Sequence, residues 1–479
     1  MTSFSLFRGG ERSRAVGPLF SSVTASVVLL VCLVMGSGLA HAQPASRGSQ
    51  PSLAPMLEDT TPAVVNIAVV REQRMPEAMR FFNERDLRRF FQGEPPEDSD
   101  REPPVRRQRG AGSGVIINAE EGHVVTNHHV VDGADTVTVS LQDGRQIEAE
   151  VIGSDERTDI ALLHIDADDL SELEFADITD LRVGDYVAAI GNPFGIGQTV
   201  TTGIVSALGR AGINRENYED FIQTDAAINV GNSGGALVDL NGRLIGINTA
   251  IISGSGASAG IGFAVPVDMV ATVVDHLVRD GVVQRGQLGV LIRDYTPQME
   301  ETLQLGTDEG ALVTQVMEDS AAEAAGMEVS DVVVEINGED VRNSRDLRNA
   351  VGLIRTGETV DLVLYRDGER VEVSATITSS EDGQVASSRG ADGDGRALQD
   401  TRFHGAQLQN TSGDGVQVAG VQQNSRAWAS GLRPGDRIIA VNRNPVADLG
   451  EFNEIVSDND GVAALGVIRD GRRMLIVLP

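Results

Sequence analysis

A chain of 479 residues is too long to fold around one core, so it has to divide into several domains. Its net charge of −31, carried with 39 arginines and no lysine, excludes nucleic acid or an anionic membrane as a partner held by bulk charge. Few aromatics (4%) and 54 glycines favour short strands and tight turns over long helices.

At the N-terminus, Arg8, Arg12 and Arg14 precede a mostly apolar stretch at 19–35, and Ala40-His41-Ala42 fits a small-x-small cleavage site. The expectation is a secretory signal over 1–42, cleaved near Ala42. Ser21, Ser22, Thr24 and Ser26 dilute the apolar run, which argues against a retained anchor and for no stable membrane span. The single cysteine, Cys32, lies in this segment, so the mature chain has neither disulfide nor thiol chemistry. Removing the segment's net charge of +2 leaves −33. GC-rich codon usage accounts for the missing lysine but not for the excess acid; a halophilic or haloalkaliphilic source is expected.

Residues 43–55 read as a flexible leader. Thr61–Val70 reads as the first strand, and 71–110 as a long charged loop carrying Phe81-Phe82 and Phe90-Phe91. Those phenylalanines pack either on their own domain or on another subunit. From Gly112 to about Val267, short Val/Ile-rich strands alternate with Gly, Asp and Asn turns, as in a sandwich or barrel. They are Gly114–Ile117, Val137–Leu141, Ile160–Ile165, Tyr186–Ile190, Gly203–Leu208 and Arg243–Asn248. Residues 266–281 have a helical period and end in glycine.

Within this region three motifs supply the parts of an acyl-transfer site. Gly231-Asn232-Ser233-Gly234-Gly235 exposes a serine between glycine turns, with the N–H groups of Gly231 and Ser233 as oxyanion-hole donors. A serine needs a base to take its proton and a carboxylate to orient that base. Thr126-Asn127-His128-His129 offers two adjacent histidines that face opposite ways on an extended segment, so one of them serves. Asp159 precedes the apolar run Ile160-Ala161-Leu162-Leu163 and is placed to sit at the edge of a core. Asp132, Asp135 and Asp155 lie in polar turns and read as solvated. His123, His164, His276 and His404 read as surface or packing residues.

The C-terminal part repeats itself. Gly326, Asp331 and Asn337 recur as Gly431, Asp436 and Asn442, each 105 residues on, which indicates two copies of one small domain. Ser, Gly and Asp dominate 378–400 between them, as in a solvated linker.

Together with Gly191-Asn192-Pro193-Phe194-Gly195, these motifs resemble the HtrA family of Do-like serine proteases in its periplasmic, two-PDZ (DegP/DegQ) form. The match runs from about residue 56 to the C-terminus. The resemblance implies a mainly β protein: a chymotrypsin-like double β-barrel followed by two PDZ domains. It selects His129 as the base, with His128 at a position that usually holds Asn, and gives the triad His129, Asp159 and Ser233. It implies an S1 pocket walled by Ile228, Ile252 and Ile261 that suits small aliphatic P1 residues. Arg210 matches an arginine of an activation-sensing loop.

Arg285-Gly286-Gln287-Leu288-Gly289 resembles the carboxylate-binding loop of a PDZ domain, with Gly286, Leu288 and Gly289 as peptide-binding positions. Ser330 stands where the family has Gly. Phe403-His404-Gly405 is a less typical loop, so the second copy is expected to bind peptide weakly or to serve assembly. The domains expected are signal 1–42, leader 43–55, protease 56–280, PDZ1 284–378, linker 379–400 and PDZ2 401–479.

The resemblance implies an ATP-independent periplasmic endopeptidase for misfolded proteins. The same resemblance implies tethering of substrate C-termini at PDZ1, no need for a cofactor or metal, assembly from trimers and chaperone activity. The competing readings are a chaperone or scaffold with proteolysis secondary, and a membrane-anchored regulatory protease, which would carry one PDZ copy.

Overall fold

The computed structural model describes residues 52–74, 105–192, 197–211, 218–229, 231–251, 260–379, 396–397, 401–411, 413–458 and 461–478. The expected signal and most of the leader lie outside them, as do the loop phenylalanines. None of the described helices is long and apolar enough to cross a membrane.

A helix α1 (Ala54–Thr60) and a 3₁₀ turn (Thr61–Ala63) lead into the first barrel. Pro62 has no N–H for a ladder, so the first strand starts at Val64 and not at Thr61. The strands are β1 (Val64–Arg74), β2 (Val105–Asn118), β3 (His123–Thr126), β4 (Thr136–Ser140), β5 (Gln146–Asp155) and β6 (Ile160–His164). They close in the order β1-β2-β3-β6-β5-β4. Alternating Val and Ile side chains, including Val65, Ile67, Ile116, Val124 and Val139, fill the interior. The β1–β2 ladder runs in register out to Arg74 opposite Val105. Both ends of the expected 71–110 loop are therefore strand.

The second barrel is built the same way from β7 (Tyr186–Gly191), β8 (Thr199–Arg210), β9 (Phe221–Thr224), β10 (Ala236–Val238), β11 (Leu244–Ile251) and β12 (Gly262–Pro266). It closes in the order β10-β11-β12-β9-β8-β7. Among the described residues the one helix between the strands of either barrel is a single turn, α2 (His128–Val131), which follows β3. Helix α3 (Val267–Asp280) follows β12, ends at the left-handed Gly281, and buries Val270, Val273 and Leu277 against the barrels.

The first C-terminal domain contains β13 (Gly286–Gln287), β14 (Val290–Tyr295), α4 (Pro297–Leu303), β15 (Gly310–Val316), α5 (Ala321–Ala324), β16 (Val332–Ile336), β17 (Glu339–Asp340), α6 (Ser344–Leu353), β18 (Thr359–Arg366), β19 (Glu369–Thr376) and β20 (Thr378–Ser379). Its sheet runs β14-β15-β16-β18-β19. The second contains β21 (Arg396–Ala397), β22 (Ala406–Asn410), β23 (Val416–Val421), α7 (Arg426–Ala429), β24 (Arg437–Val441), β25 (Asn444–Pro445), α8 (Leu449–Ser457), β26 (Ala463–Arg469) and β27 (Arg472–Leu478).

The repeated aspartates acquire a physical reason. Asp331 and Asp436 are fully buried. Each takes two bonds from an arginine of the facing strand: Arg366 at 2.7 and 2.7 Å, and Arg469 at 2.6 and 2.7 Å. Among the described residues helix α4 has no counterpart in the second copy, and it is used between the copies. Tyr295, Met299, Leu303 and Leu305 pack with Ala464 and Val477 in one cluster, so the two domains share a core across the expected linker.

Candidate active site

Ser233 lies in a loop that is glycine-bound for steric reasons. A Cβ on Gly234 would strike the Ser113 carbonyl and the Thr126 hydroxyl, and Gly234 also has φ 82°. Three amides of the loop are committed within the second barrel. Asn232 donates to Asn229 O (3.0 Å), Gly234 to Asn248 O (2.8 Å) and Gly235 to Asn232 O (2.9 Å). The Ser233 hydroxyl donates to Thr249 O at 3.1 Å.

His128 and His129 sit on the turn of helix α2, not on an extended segment, and their rings still diverge. His129 presents Nδ1 to the Asp159 carboxylate at 2.8 and 2.9 Å. Its backbone N–H donates to the same carboxylate at 3.0 Å. With the Nδ1 proton donated to Asp159, Nε2 is left as the acceptor. His128 turns the other way, with Nδ1 3.0 Å from Ser154 Oγ. Arg71 supports the turn from β1, donating to Asp132 O at 2.6 Å and Val130 O at 3.1 Å.

Asp159 occupies the left-handed region at φ 58°. Its carbonyl accepts from His128 N–H (3.1 Å) and the Asn127 amide (3.0 Å). Its carboxylate also accepts from the Thr249 hydroxyl. Thr249 thus touches both ends of the constellation, through its hydroxyl to Asp159 and its carbonyl to Ser233. Nothing in the sequence around Thr249 marks it. Asp155 departs from its solvated expectation. It is mostly buried, caps Thr158 N–H and Oγ1 with one oxygen, and pairs with Arg285 of the first PDZ domain. Asp132 and Asp135 are exposed.

Of the remaining histidines, His276 is buried and uses both ring nitrogens, at Leu353 O (3.0 Å) and Gln284 N–H (3.3 Å), where helix α3 meets α6. Burial holds the His123 imidazole below its ordinary range. Ile228 is fully buried in the second barrel's core against Gly262, Ile261 is half-buried, and Ile252 lies outside the described residues. Arg210 ends β8, exposed, with Nε donating to Gln223 at 3.0 Å. Among the described residues no group of three or more His, Asp and Glu side chains converges as a metal site.

Gly286 lies in β13, and Leu288 and Gly289 form the turn from it into β14. Leu288 O accepts from Ala322 N–H (2.8 Å) and Gly289 O from Met317 N–H (2.9 Å). The atypical second loop repeats this frame: His404 O accepts from Ala427 N–H (3.3 Å) and Gly405 O from Gln422 N–H (2.7 Å). The difference is the side chain, a buried Leu288 against an exposed His404. A second difference lies at the sheet edge. β14 is an outer strand, whereas β22 is already paired by β21, with Arg396 opposite Leu408 and Ala397 opposite Gln407.

Two closed six-stranded barrels, with a His–Asp pair on the first and a half-buried serine on the second, define a trypsin-like serine endopeptidase. A trypsin-like peptidase domain model matches residues 112–247, and PDZ domain models match 286–377 and 417–469. The periplasmic serine endoprotease DegP of Salmonella typhimurium is 42% identical over 452 residues, covering 89% of this chain and 92% of that one. The periplasmic pH-dependent serine endoprotease DegQ of Escherichia coli K12 is 39% identical over 441 residues, covering 91% and 93%. Among solved structures, the HtrA-type protease AlgW with a tripeptide aligns at TM-score 0.54 and 40% identity, covering 70% of this chain and 99% of that one. The chain belongs to the HtrA family of serine endoproteases, of the DegP/DegQ kind.

Proposed function

We propose that Ser233 is the nucleophile, His129 its general base and Asp159 the orienting carboxylate, and that the enzyme degrades unfolded or misfolded proteins in the periplasm. The observation that carries this reading is the bonded chain from His129 through Asp159 and Thr249 to Ser233. Among the described residues no hydrogen bond joins Ser233 Oγ to His129, so the hydroxyl has to rotate from Thr249 O toward Nε2 before attack. His129 then takes the Ser233 proton as Oγ adds to the scissile carbonyl. Asp159 stabilises the imidazolium, and the N–H groups of Gly231 and Ser233 hold the oxyanion. The imidazolium returns its proton to the leaving amine. A water, deprotonated by the same His129, then releases the acyl group.

Specificity for small aliphatic residues rests on the branched apolar walls Ile228 and Ile261, with Ile252 the third member, and on the lack of a charge among them. PDZ1 receives substrate C-termini at Gly286, Leu288 and Gly289 along the outer edge of β14. PDZ2 is assigned a lesser part in tethering, because residues 396–397 already cover its corresponding edge. Arg210 acts in regulation, and the functional unit is an oligomer of trimers with holding activity toward unfolded chains. Residues 1–42 direct export. The protease domain spans 56–280, PDZ1 284–378 and PDZ2 401–479.

The test is digestion of unfolded casein by wild type and Ser233→Ala, with aggregation of a heated substrate followed in parallel. Wild type should cleave after Val, Ala or Ile while Ser233→Ala does not. No cleavage at any temperature, with both proteins suppressing aggregation, would leave the chaperone reading standing in place of the protease.

A further inference from the structure

Ser113 is a buried polar residue outside the proposed triad that meets the nucleophile loop directly. It lies in β2 of the first barrel and is fully buried. Its N–H donates to Ser233 O (2.8 Å), and its carbonyl accepts from the Thr126 hydroxyl (2.7 Å). Any residue could make those main-chain bonds. Its hydroxyl adds two that need a side-chain oxygen, donating to Gly231 O (2.6 Å) and accepting from Asn192 N–H (2.8 Å). The direction of both is forced, since a carbonyl can only accept and an amide N–H can only donate.

The geometry has a consequence for the loop. The carbonyls of Gly231 and Ser233 are both held from across the seam between the barrels. They belong to the residues whose N–H groups are the proposed oxyanion donors. Gly231 has φ 103°, a freely rotating position unless something grips it. The hydroxyl also ties this loop to Asn192, at the end of β7, so three separate segments meet on one oxygen. Asn192 is itself buried, and its carbonyl accepts from the Asn66 amide of β1 at 2.8 Å.

We propose that Ser113 is a positioning residue for the oxyanion loop. Its hydroxyl holds the Gly231 carbonyl so that the loop's donors are in place when charge develops on the substrate carbonyl. This rests on Ser233 as nucleophile and on Gly231 and Ser233 as donors. Without the hydroxyl, Gly231 O and Asn192 N–H are buried and unpaired, and the loop has to shift to satisfy them.

The experiment compares full-length Ser113→Ala, Ser113→Cys, Ser113→Thr and Val139→Ala. Val139 is a buried residue in β4 whose truncation destabilises the first barrel without touching the loop. Five quantities are measured: kcat and KM on a peptide with a small aliphatic P1 residue, inhibition by the matching peptide boronate, inhibition by the cleaved product peptide, and the unfolding midpoint. A boronate forms a tetrahedral adduct on the serine and so reads the oxyanion site; the product peptide does not.

Ser113→Ala should lower kcat and weaken the boronate by roughly ten- to a hundredfold. KM and product inhibition should stay within about twofold. Ser113→Cys, near in shape but a weak donor, should fall between, and Ser113→Thr should recover most of the loss. Wild-type kcat and boronate affinity in Ser113→Ala would overturn the proposal, as would losses no larger than those of Val139→Ala at equal destabilisation. If Ser113→Ala does not fold, Ser113→Cys carries the comparison: unchanged boronate affinity there sinks the idea. Fluorophosphonate labelling keeps the two claims apart. A wild type that is not labelled at Ser233 defeats the nucleophile reading, while a labelled wild type with an unaffected Ser113→Ala defeats the positioning role alone.

Discussion

Asp159 reaches His129 from a left-handed backbone position, and that single conformation places its carboxylate under the histidine turn while its carbonyl holds the turn's first amide. Aspartate tolerates this region better than most residues, because its short side chain bonds locally. These contacts favour His129 over His128 as the proposed base. His129→Ala should lower kcat on the order of 10⁴-fold or more. His128→Ala, which loses only a contact to Ser154, should keep most turnover; steady-state kinetics on both variants with unfolded casein distinguish the assignments. Ser330 gives a stability prediction. It holds φ 84°, where the second copy has Gly435 at φ 93°. Ser330→Gly relieves that strain and should raise the first PDZ domain's stability by roughly 1 kcal/mol, read as a higher urea midpoint.

At the scale of elements, strand boundaries moved where neighbours supplied partners. Residues 71–74 and 105–110 carry charges and glycines that read as loop, yet they pair because β1 and β2 are already in register below them. Helix α2 is a single turn, too short to show a period in the sequence, and it is held from outside by Arg71 of β1 on its carbonyls and by Asp159 on its amides. The linker behaves similarly. Arg396 and Ala397 lie in a Gly/Asp-rich tract but form a strand on the open edge of β22. Deleting 396–397 should speed hydrogen exchange across 406–410 by about tenfold or more, because an edge amide loses its partner. Unchanged exchange would mean that the pairing adds no protection.

At the scale of the whole molecule, the protease and first PDZ domain meet through charge. Arg285 pairs with Asp155 and lies over the Tyr218 ring at 4.2 Å, while Arg355 bonds Asp275 at 2.7 Å and Asp280 at 3.3 Å. Beside these pairs a cavity of about 390 Å³ is lined by Asp220 and Asp268 of the protease and Asp346 of the PDZ domain. Burial pushes the Asp220 carboxyl up to about 6, with the negative charges of Asp268 and Asp346 adding and Arg345 and Arg342 opposing. Burial also raises Asp268.

A folded value above the ordinary 3.8 means that the fold binds the Asp220 proton more tightly than the unfolded chain does. That contribution is fully present below pH 3.8 and is lost as pH rises through about 6. The urea midpoint of wild type should therefore fall between pH 4 and pH 7 more steeply than that of Asp220→Asn. The net charge of −31 makes its own prediction: the unfolding midpoint should rise from low to molar NaCl as self-repulsion is screened. No rise would rule out the halophilic reading.

The fold class, the repeat at an offset of 105 and the candidate triad were all legible in the sequence. The first two are written in strand periodicity, turn glycines and residues matched at one offset; the triad was read from short motifs, with His129 chosen over His128 by their resemblance to the HtrA family. Contacts between distant segments were not legible. Ser113 joins Gly231 and Asn192, Thr249 joins Asp159 and Ser233, and Arg285 joins Asp155, all across separations that no local pattern encodes. Such partners are chosen when closing barrels and packing domains bring unpaired polar groups together, and only the tertiary structure decides which pairs those are.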